Sequence, residues 1–95
     1  MATRCTIKID NIDFAKVYKH WDGYPAHMLE WLSEFNMDFN KNRPGDAEYK
    51  FAQLLRSSVR DEGKYNLDDN EYTGWGVVEI GAECGEEFEY TLHAN

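Results

Sequence analysis

Cysteine, long apolar runs and C-terminal basic residues are the features that this sequence largely lacks. Its 95 residues contain two cysteines, Cys5 and Cys84, which are too few for the disulfide framework of a small secreted protein. We expect free thiols in a cytoplasmic protein, although pairing of the two stays open because both fall in expected strand regions. No apolar run approaches the roughly 20 residues that cross a bilayer, and the first residues lack the apolar stretch of a signal peptide.

Basic residues are nearly absent from the last third of the chain. Residues 61–95 carry ten acidic side chains and a single lysine, Lys64, for a net charge of −9 with histidine neutral. Residues 1–60 carry nine bases and eight acids. A strong negative field repels nucleic acid and anionic lipid and attracts a basic protein surface. We therefore expect a basic protein as partner, with no direct nucleic-acid binding and no membrane contact.

The composition favours one folded domain that spans residues 1–95. At 42 % hydrophobic and 15 % aromatic residues, the chain is too apolar for a disordered acidic protein. A chain of this length buries roughly 60–65 % of its unfolded surface, which is enough for one core without disulfides. The acidic end is expected to fold as well, because it contains five aromatic side chains: Tyr65, Tyr72, Trp75, Phe88 and Tyr90.

In the first two thirds of the chain, apolar residues recur with two different spacings. Alternation predicts strands over 3–9 and 14–20, joined as a hairpin, and either face of the second strand could be buried. Spacings of three and four predict an amphipathic helix over roughly 25–39. Asp46 is a candidate N-cap for a second helix that runs to about residue 60. The first helix is predicted from Met28, Leu29, Trp31, Leu32, Phe35 and Phe39.

Two further strands are predicted near the C-terminus, after a polar turn region at 65–74. One covers 75–80, and the other covers 86–92 with Phe88, Tyr90 and Leu92 directed inward. The order ββααββ predicts an α+β domain, with a largely antiparallel sheet of about four strands and two helices on one face. The opposite face of such a sheet can remain exposed to water.

The acidic residues of this region are the candidate partner-binding site. Glu87 and Glu89 lie two apart on one strand face, which places their side chains roughly 6–7 Å apart. Glu79 would join them if its strand pairs alongside, and the preceding loop would extend the negative field. Such a plate would resemble a row of DNA phosphates, while the alternative is a solvated acidic face that aids solubility. The remaining candidates are Asp68, Asp69 and Glu71, with Tyr72 or Trp75 as an exposed aromatic anchor.

No pattern of residues predicts catalysis or a bound metal. The cluster at 68–71 lacks the spacing of a calcium loop, and the cysteines and histidines lack the short paired spacing of a zinc site. The chain has no glycine elbow around a nucleophile. Asp22 beside His20 could orient the imidazole, but turn formation and helix capping are the simpler roles. We therefore expect no catalytic residue, no cofactor and no metal.

The segment at 17–25, with the sequence VYKHWDGYP, resembles a motif in small proteins of phages, prophages and other mobile elements. The runs YKFAQLLR at 49–56 and GEEFEY at 85–90 resemble the same family, so the likeness spans most of the chain. The resemblance implies an accessory protein that binds and disables a host protein. Several acidic proteins of this kind, anti-CRISPR proteins among them, imitate DNA, but no residue role is transferred from the family.

The leading hypothesis is a non-catalytic inhibitor whose acidic surface occupies the basic nucleic-acid-binding groove of a host defence protein, such as a CRISPR effector complex. The first alternative is an interaction or regulatory module that uses the HWDGYP turn and the aromatic residues around it, namely Trp21, Tyr24 and Trp31. An enzyme or small-ligand protein ranks third, and it would require a deep pocket containing His20 and Asp22.

Overall fold

The computed structural model describes residues 3–57 and 74–93, which form two helices and four strands in the order ββααββ. This confirms the α+β class. The first helix continues three residues beyond the expected end, and the second ends at residue 56. In chain order the elements are β1 (Cys5–Ile9), β2 (Ala15–Lys19), α1 (Pro25–Asn42), α2 (Ala47–Arg56), β3 (Trp75–Glu79) and β4 (Phe88–Leu92).

The sheet has the strand order β3-β2-β1-β4. The pairs β1–β2 and β2–β3 are antiparallel, so the expected N-terminal hairpin forms. However, β4 pairs in parallel with β1, with Cys5 aligned to Phe88 and Ile9 aligned to Leu92. The sheet is therefore mixed, and the last two strands of the chain lie at its opposite edges.

Both helices contribute to a core on one side of the sheet. Ile7, Ile9 and Val17 are fully buried there, together with Met28 of α1 and Leu54 of α2. Val17 is aligned with Ile7, so alternate residues of β2 starting at Ala15 face the helices. The structure thereby decides which face of β2 is buried, a choice that the sequence left open because both faces carry apolar side chains.

Asp46 caps α2 as expected and also binds a neighbouring cation. One carboxylate oxygen accepts a hydrogen bond from the Tyr49 amide at 3.3 Å. The other accepts bonds from Arg43 Nη2 at 2.9 Å and Arg43 Nε at 3.1 Å. The cap satisfies an amide that the first helical turn leaves without an intrahelical acceptor. The ion pair with Arg43 is solvent-exposed and contributes little to stability.

Substitution of Asp46 should weaken the start of α2. We expect Asp46→Ala to lower the free energy of unfolding by about 1 kcal/mol, the usual cost of losing an N-cap. Urea denaturation measures the difference. Asp13→Asn is the matched control, because Asp13 is an exposed carboxylate in the turn before β2. Equal stability of the two variants would contradict the capping role.

The HWDGYP turn connects β2 to α1 and is anchored to the sheet from two sides. The Gly23 amide donates to the Thr3 carbonyl at 2.9 Å, and the Tyr90 hydroxyl donates to the Gly23 carbonyl at 2.7 Å. Asp22 has a φ of 56°, a left-handed conformation that Asp tolerates better than most residues. Trp21 and Tyr24 flank this anchor and are 41 % and 42 % exposed.

Candidate functional site

Glu87 and Glu89 lie on the sheet face that points away from the helices. Both are exposed, and Glu89 is aligned with Thr6 of β1, whose neighbours in the strand face the core. Phe88 and Tyr90 pack against the core on the other side of β4. The predicted orientation of β4 is therefore confirmed. These two glutamates form one row of carboxylates along a sheet edge.

Basic residues of the first strands share this outer face with the two glutamates. The Glu87 amide donates to the Arg4 carbonyl at 3.0 Å, which places the two residues side by side. Lys8 follows on the same face of β1 and is exposed. Lys16 of β2 is directed to the same side but is only 7 % exposed, so the more accessible cations of this face are Arg4 and Lys8. Carboxylates at the edge thus adjoin cations in the middle, and the described part of the outer face is not a continuous negative plate.

Glu79 does not join the glutamates of β4, because its strand does not pair alongside β4. Its strand β3 lies at the opposite edge, three strand spacings or about 14 Å away. Glu79 is also aligned with Ala15, which places it on the helix side of the sheet. The parallel pairing of β4 with β1 is the physical reason, since it prevents β3 and β4 from forming a hairpin.

Of the other predicted partner-binding residues, only Trp75 belongs to the described part of the chain. Asp68, Asp69, Glu71 and Tyr72 lie outside the described residues. Trp75 is partly buried against the core, with its ring centroid 5.3 Å from that of Trp31. Its packing with α1 contradicts the expectation that this side chain is exposed.

Burial removes basic charge from the surface while leaving the acids exposed. Lys16, Lys19 and Lys50 are 7 %, 1 % and 0 % exposed. By contrast, no aspartate or glutamate is buried within 3–57 and 74–93. The surface of this part of the chain is therefore more acidic than its composition suggests. Sequence reasoning missed this effect because lysine is rarely buried.

Lys50 of α2 connects three elements through its ammonium group. The group donates to Asn36 Oδ1, to Asn40 Oδ1 at 3.1 Å and to the His93 carbonyl at 2.6 Å. Burial lowers the pKa of Lys50 from its usual 10.5, and Asp10 partly offsets this effect. His93 Nδ1 lies 2.9 Å from a carboxylate oxygen of Asp10. The cluster fixes α2 to α1 and to the end of β4.

A second row of carboxylates runs along α1. Glu30, Glu34 and Asp38 are all exposed and are spaced four residues apart, which corresponds to about 6 Å of helix rise per step. In the described ranges, no basic side chain forms an ion pair with them. The sequence prediction did not include this row, because bases balance the acids of residues 1–60 in the net charge. The repeated spacing of four was the signal that could have revealed it.

The α1 row borders an aromatic groove between α1 and α2 with a volume of about 680 Å³. The rings of Trp31 and Phe35 are nearly parallel, with centroids 6.0 Å apart. Phe39 continues the series at 6.2 Å from Phe35, and Tyr49 of α2 lies 5.8 Å from Phe39. Glu34 and Asp38 line the same groove. This is a concave surface that combines aromatic faces with carboxylates.

The third-ranked alternative receives no geometric support from the residues that motivated it. His20 Nδ1 lies 2.9 Å from the Tyr18 hydroxyl, and no described contact joins it to Asp22. Cys5 and Cys84 are not joined in a disulfide bond. Within the part of the chain that the structure covers, no group of three side chains is arranged to hold a metal ion.

Searches against protein-family models, curated protein sequences and solved structures found no match to this chain. No helix in the described ranges combines the length and apolarity needed to cross a membrane.

Proposed function

We propose that this protein is a non-catalytic inhibitor that binds the basic, nucleic-acid-binding groove of another protein. The observation that carries the proposal is the difference in burial between charges of opposite sign. Three lysines are withdrawn from the surface, while every described carboxylate remains exposed or half-exposed. A surface that serves only solubility works well with both signs mixed. Withdrawal of cations instead leaves carboxylates as the charged groups that a basic partner would contact most readily at this surface.

Two separate rows of carboxylates take the place of the single plate that the sequence suggested. One consists of Glu87 and Glu89 on β4, and the other consists of Glu30, Glu34 and Asp38 on α1. Steps of about 6–7 Å within each row allow several cations of a basic groove to be paired at once. The resemblance of the VYKHWDGYP segment to proteins of mobile elements suggests a host defence protein as target, such as a CRISPR effector complex.

Competition with DNA tests this function. The immobilised protein is incubated with a nuclease-treated host lysate at low salt, and bound proteins are eluted with duplex DNA or with high salt. We expect a specific nucleic-acid-binding protein to be retained and then released by both treatments, because its groove must exchange one polyanion for the other. Retention that resists both excess DNA and salt would refute DNA mimicry.

Matched variants locate the contact. We expect neutralisation of either carboxylate row, by Glu87→Gln/Glu89→Gln or by Glu30→Gln/Glu34→Gln/Asp38→Asn, to reduce retention by about tenfold or more. The control Asp13→Asn/Glu48→Gln removes exposed carboxylates elsewhere and should retain the partner nearly as well as the unmodified chain.

The exposure of Tyr24 at the HWDGYP turn favours a second candidate, an interaction module that uses this turn. Aromatic side chains of this type often anchor interfaces. The same retention assay separates the two functions. Loss of the partner in Tyr24→Ala, together with normal retention by both carboxylate variants, would establish the second function in place of the first.

A further inference from the structure

The aromatic groove between α1 and α2 already holds one guanidinium group of the chain itself. The guanidinium carbon of Arg43 lies 4.7 Å from the centroid of the Tyr49 ring. Its Nη2 atom lies 2.9 Å from a carboxylate oxygen of Asp46. An aromatic face and a carboxylate together are the two elements that hold a planar cation, through cation–π attraction and charge-assisted hydrogen bonds. Tyr49 and Arg43 both line the groove.

Among the residues that the structure describes, the α1 side of the groove repeats these elements without a basic side chain. Trp31 and Phe35 supply aromatic surface. Glu34 lies three residues after Trp31, and Asp38 lies three residues after Phe35. Side chains three apart on a helix are neighbours on its surface. Among the described contacts, neither carboxylate is engaged by a base. The described residues of this half of the groove therefore present the aromatic and carboxylate groups that bind a guanidinium.

We propose that the Trp31–Asp38 side of this groove binds an arginine side chain of the basic partner protein. The inference rests on the proposed function and adds the contact through which the partner is recognised. Charge complementarity selects the occupant, because the α1 row presents three exposed carboxylates beside aromatic rings. Arginine fits better than lysine, since its flat guanidinium stacks on an aromatic ring while its N–H groups bind a carboxylate. Nucleic-acid-binding grooves are rich in arginine because its planar guanidinium donates paired hydrogen bonds to phosphate groups.

One resident cation opposes this binding and provides an internal test. Arg56 lines the groove from α2 and donates from Nη1 to Gln53 Oε1 at 3.1 Å. Because the amide of Gln53 is neutral, it does not cancel the positive charge of Arg56, which repels an entering cation. The substitution Arg56→Gln should therefore strengthen binding of a cationic peptide by about two- to fivefold. A purely apolar groove would not respond in this direction.

The test is a titration of the ¹⁵N-labelled protein with two short capped peptides of equal charge, Gly-Arg-Gly-Arg-Gly and Gly-Lys-Gly-Lys-Gly. We expect the arginine peptide to shift the indole N–H signal of Trp31, which is assigned by its loss in Trp31→Phe. The Trp21 indole, which lies outside the lining of the groove, should remain unshifted. The lysine peptide should bind at least about threefold more weakly.

Charge variants decide whether the carboxylates of the groove are responsible. Glu34→Gln/Asp38→Asn should raise the Kd of the arginine peptide by about tenfold, whereas the control Asp13→Asn/Glu48→Gln should change it by less than about twofold. Equal binding of the two peptides, or shifts confined to β4, would overturn the arginine site. If the host partner is still captured and released by DNA in that case, only this inference fails. Absence of any such partner refutes the proposed function itself.

Discussion

Replacement of Lys50 by alanine is expected to lower the free energy of unfolding by about 3–5 kcal/mol. Lys50 is 0 % exposed, so truncation leaves a cavity where its side chain was. It also leaves three oxygen acceptors without their donor, namely those of Asn36, Asn40 and His93. Both effects occur in the region where α1, α2 and the end of β4 meet. Urea denaturation measures the loss.

Lys50→Met separates packing from hydrogen bonding at this position. Methionine restores most of the buried volume and removes a charge that is costly to bury, but it supplies no donor for the three acceptors. We expect it to cost about half as much as the alanine variant. A cost below about 1 kcal/mol for Lys50→Ala would mean that the ammonium cluster does not hold the helices together.

The pH dependence of stability should also distinguish the unmodified protein from Lys50→Met. Burial lowers the pKa of Lys50 below 10.5 in the folded state, with a smaller opposing effect from Asp10. The unfolded chain therefore binds the proton more tightly, so this group's contribution to stability rises with pH between the folded pKa and 10.5. It is lost as pH falls through the folded value. The unfolding free energy of the unmodified protein should thus increase relative to Lys50→Met as pH rises toward 10.5.

Tyr90 titrates in the same region but does not confound this comparison. Burial, and secondarily the nearby Cys5, raises the pKa of Tyr90 above 10.0. Its contribution is present below 10.0 and is lost as pH rises through the folded pKa. Because Tyr90 is present in both proteins, its effect cancels in the difference between them. A difference that stays constant with pH would contradict the lowered pKa of Lys50.

Replacement of Gly23 by alanine is the second large effect, with an expected loss of about 3 kcal/mol or more. A Cβ atom at this position would lie 2.8 Å from Cys5 Cβ and 2.9 Å from both the Cys5 amide nitrogen and the Thr3 carbonyl oxygen. Two of these contacts involve backbone at the start of β1, which cannot move without disturbing the central strand. The turn would have to withdraw and give up its hydrogen bonds to Thr3 and Tyr90.

Gly81→Ala is the matched control for this substitution. No heavy atom outside its immediate chain neighbours lies within 4 Å of the added Cβ, so we expect a change below about 0.5 kcal/mol. Thermal denaturation followed by circular dichroism compares the two variants. If both behave alike, the close approach of the turn to β1 is not a constraint on this fold, and the glycine of the HWDGYP segment needs another explanation.

Local patterns were sufficient to predict the elements because each depends on neighbours in sequence. Alternation in β1 and β4, the apolar stripe of α1 and the capping role of Asp46 all follow from short-range geometry. The orientation of Glu87 and Glu89 away from the core follows from the same alternation. Helix ends were less accurate, since the extra residues of α1 are polar and give no periodic signal.

By itself, the sequence determined the α+β class, the order ββααββ and the excess of acidic charge, because composition and residue spacing contain that information. Only the tertiary structure decided where β3 and β4 pair with the N-terminal hairpin, and with it the separation of Glu79 from Glu87 and Glu89. It also decided that three lysines are buried and that the carboxylates of α1 border an aromatic groove. These features arise from contacts between residues far apart in the chain, whose energies depend on packing and burial that no local pattern records.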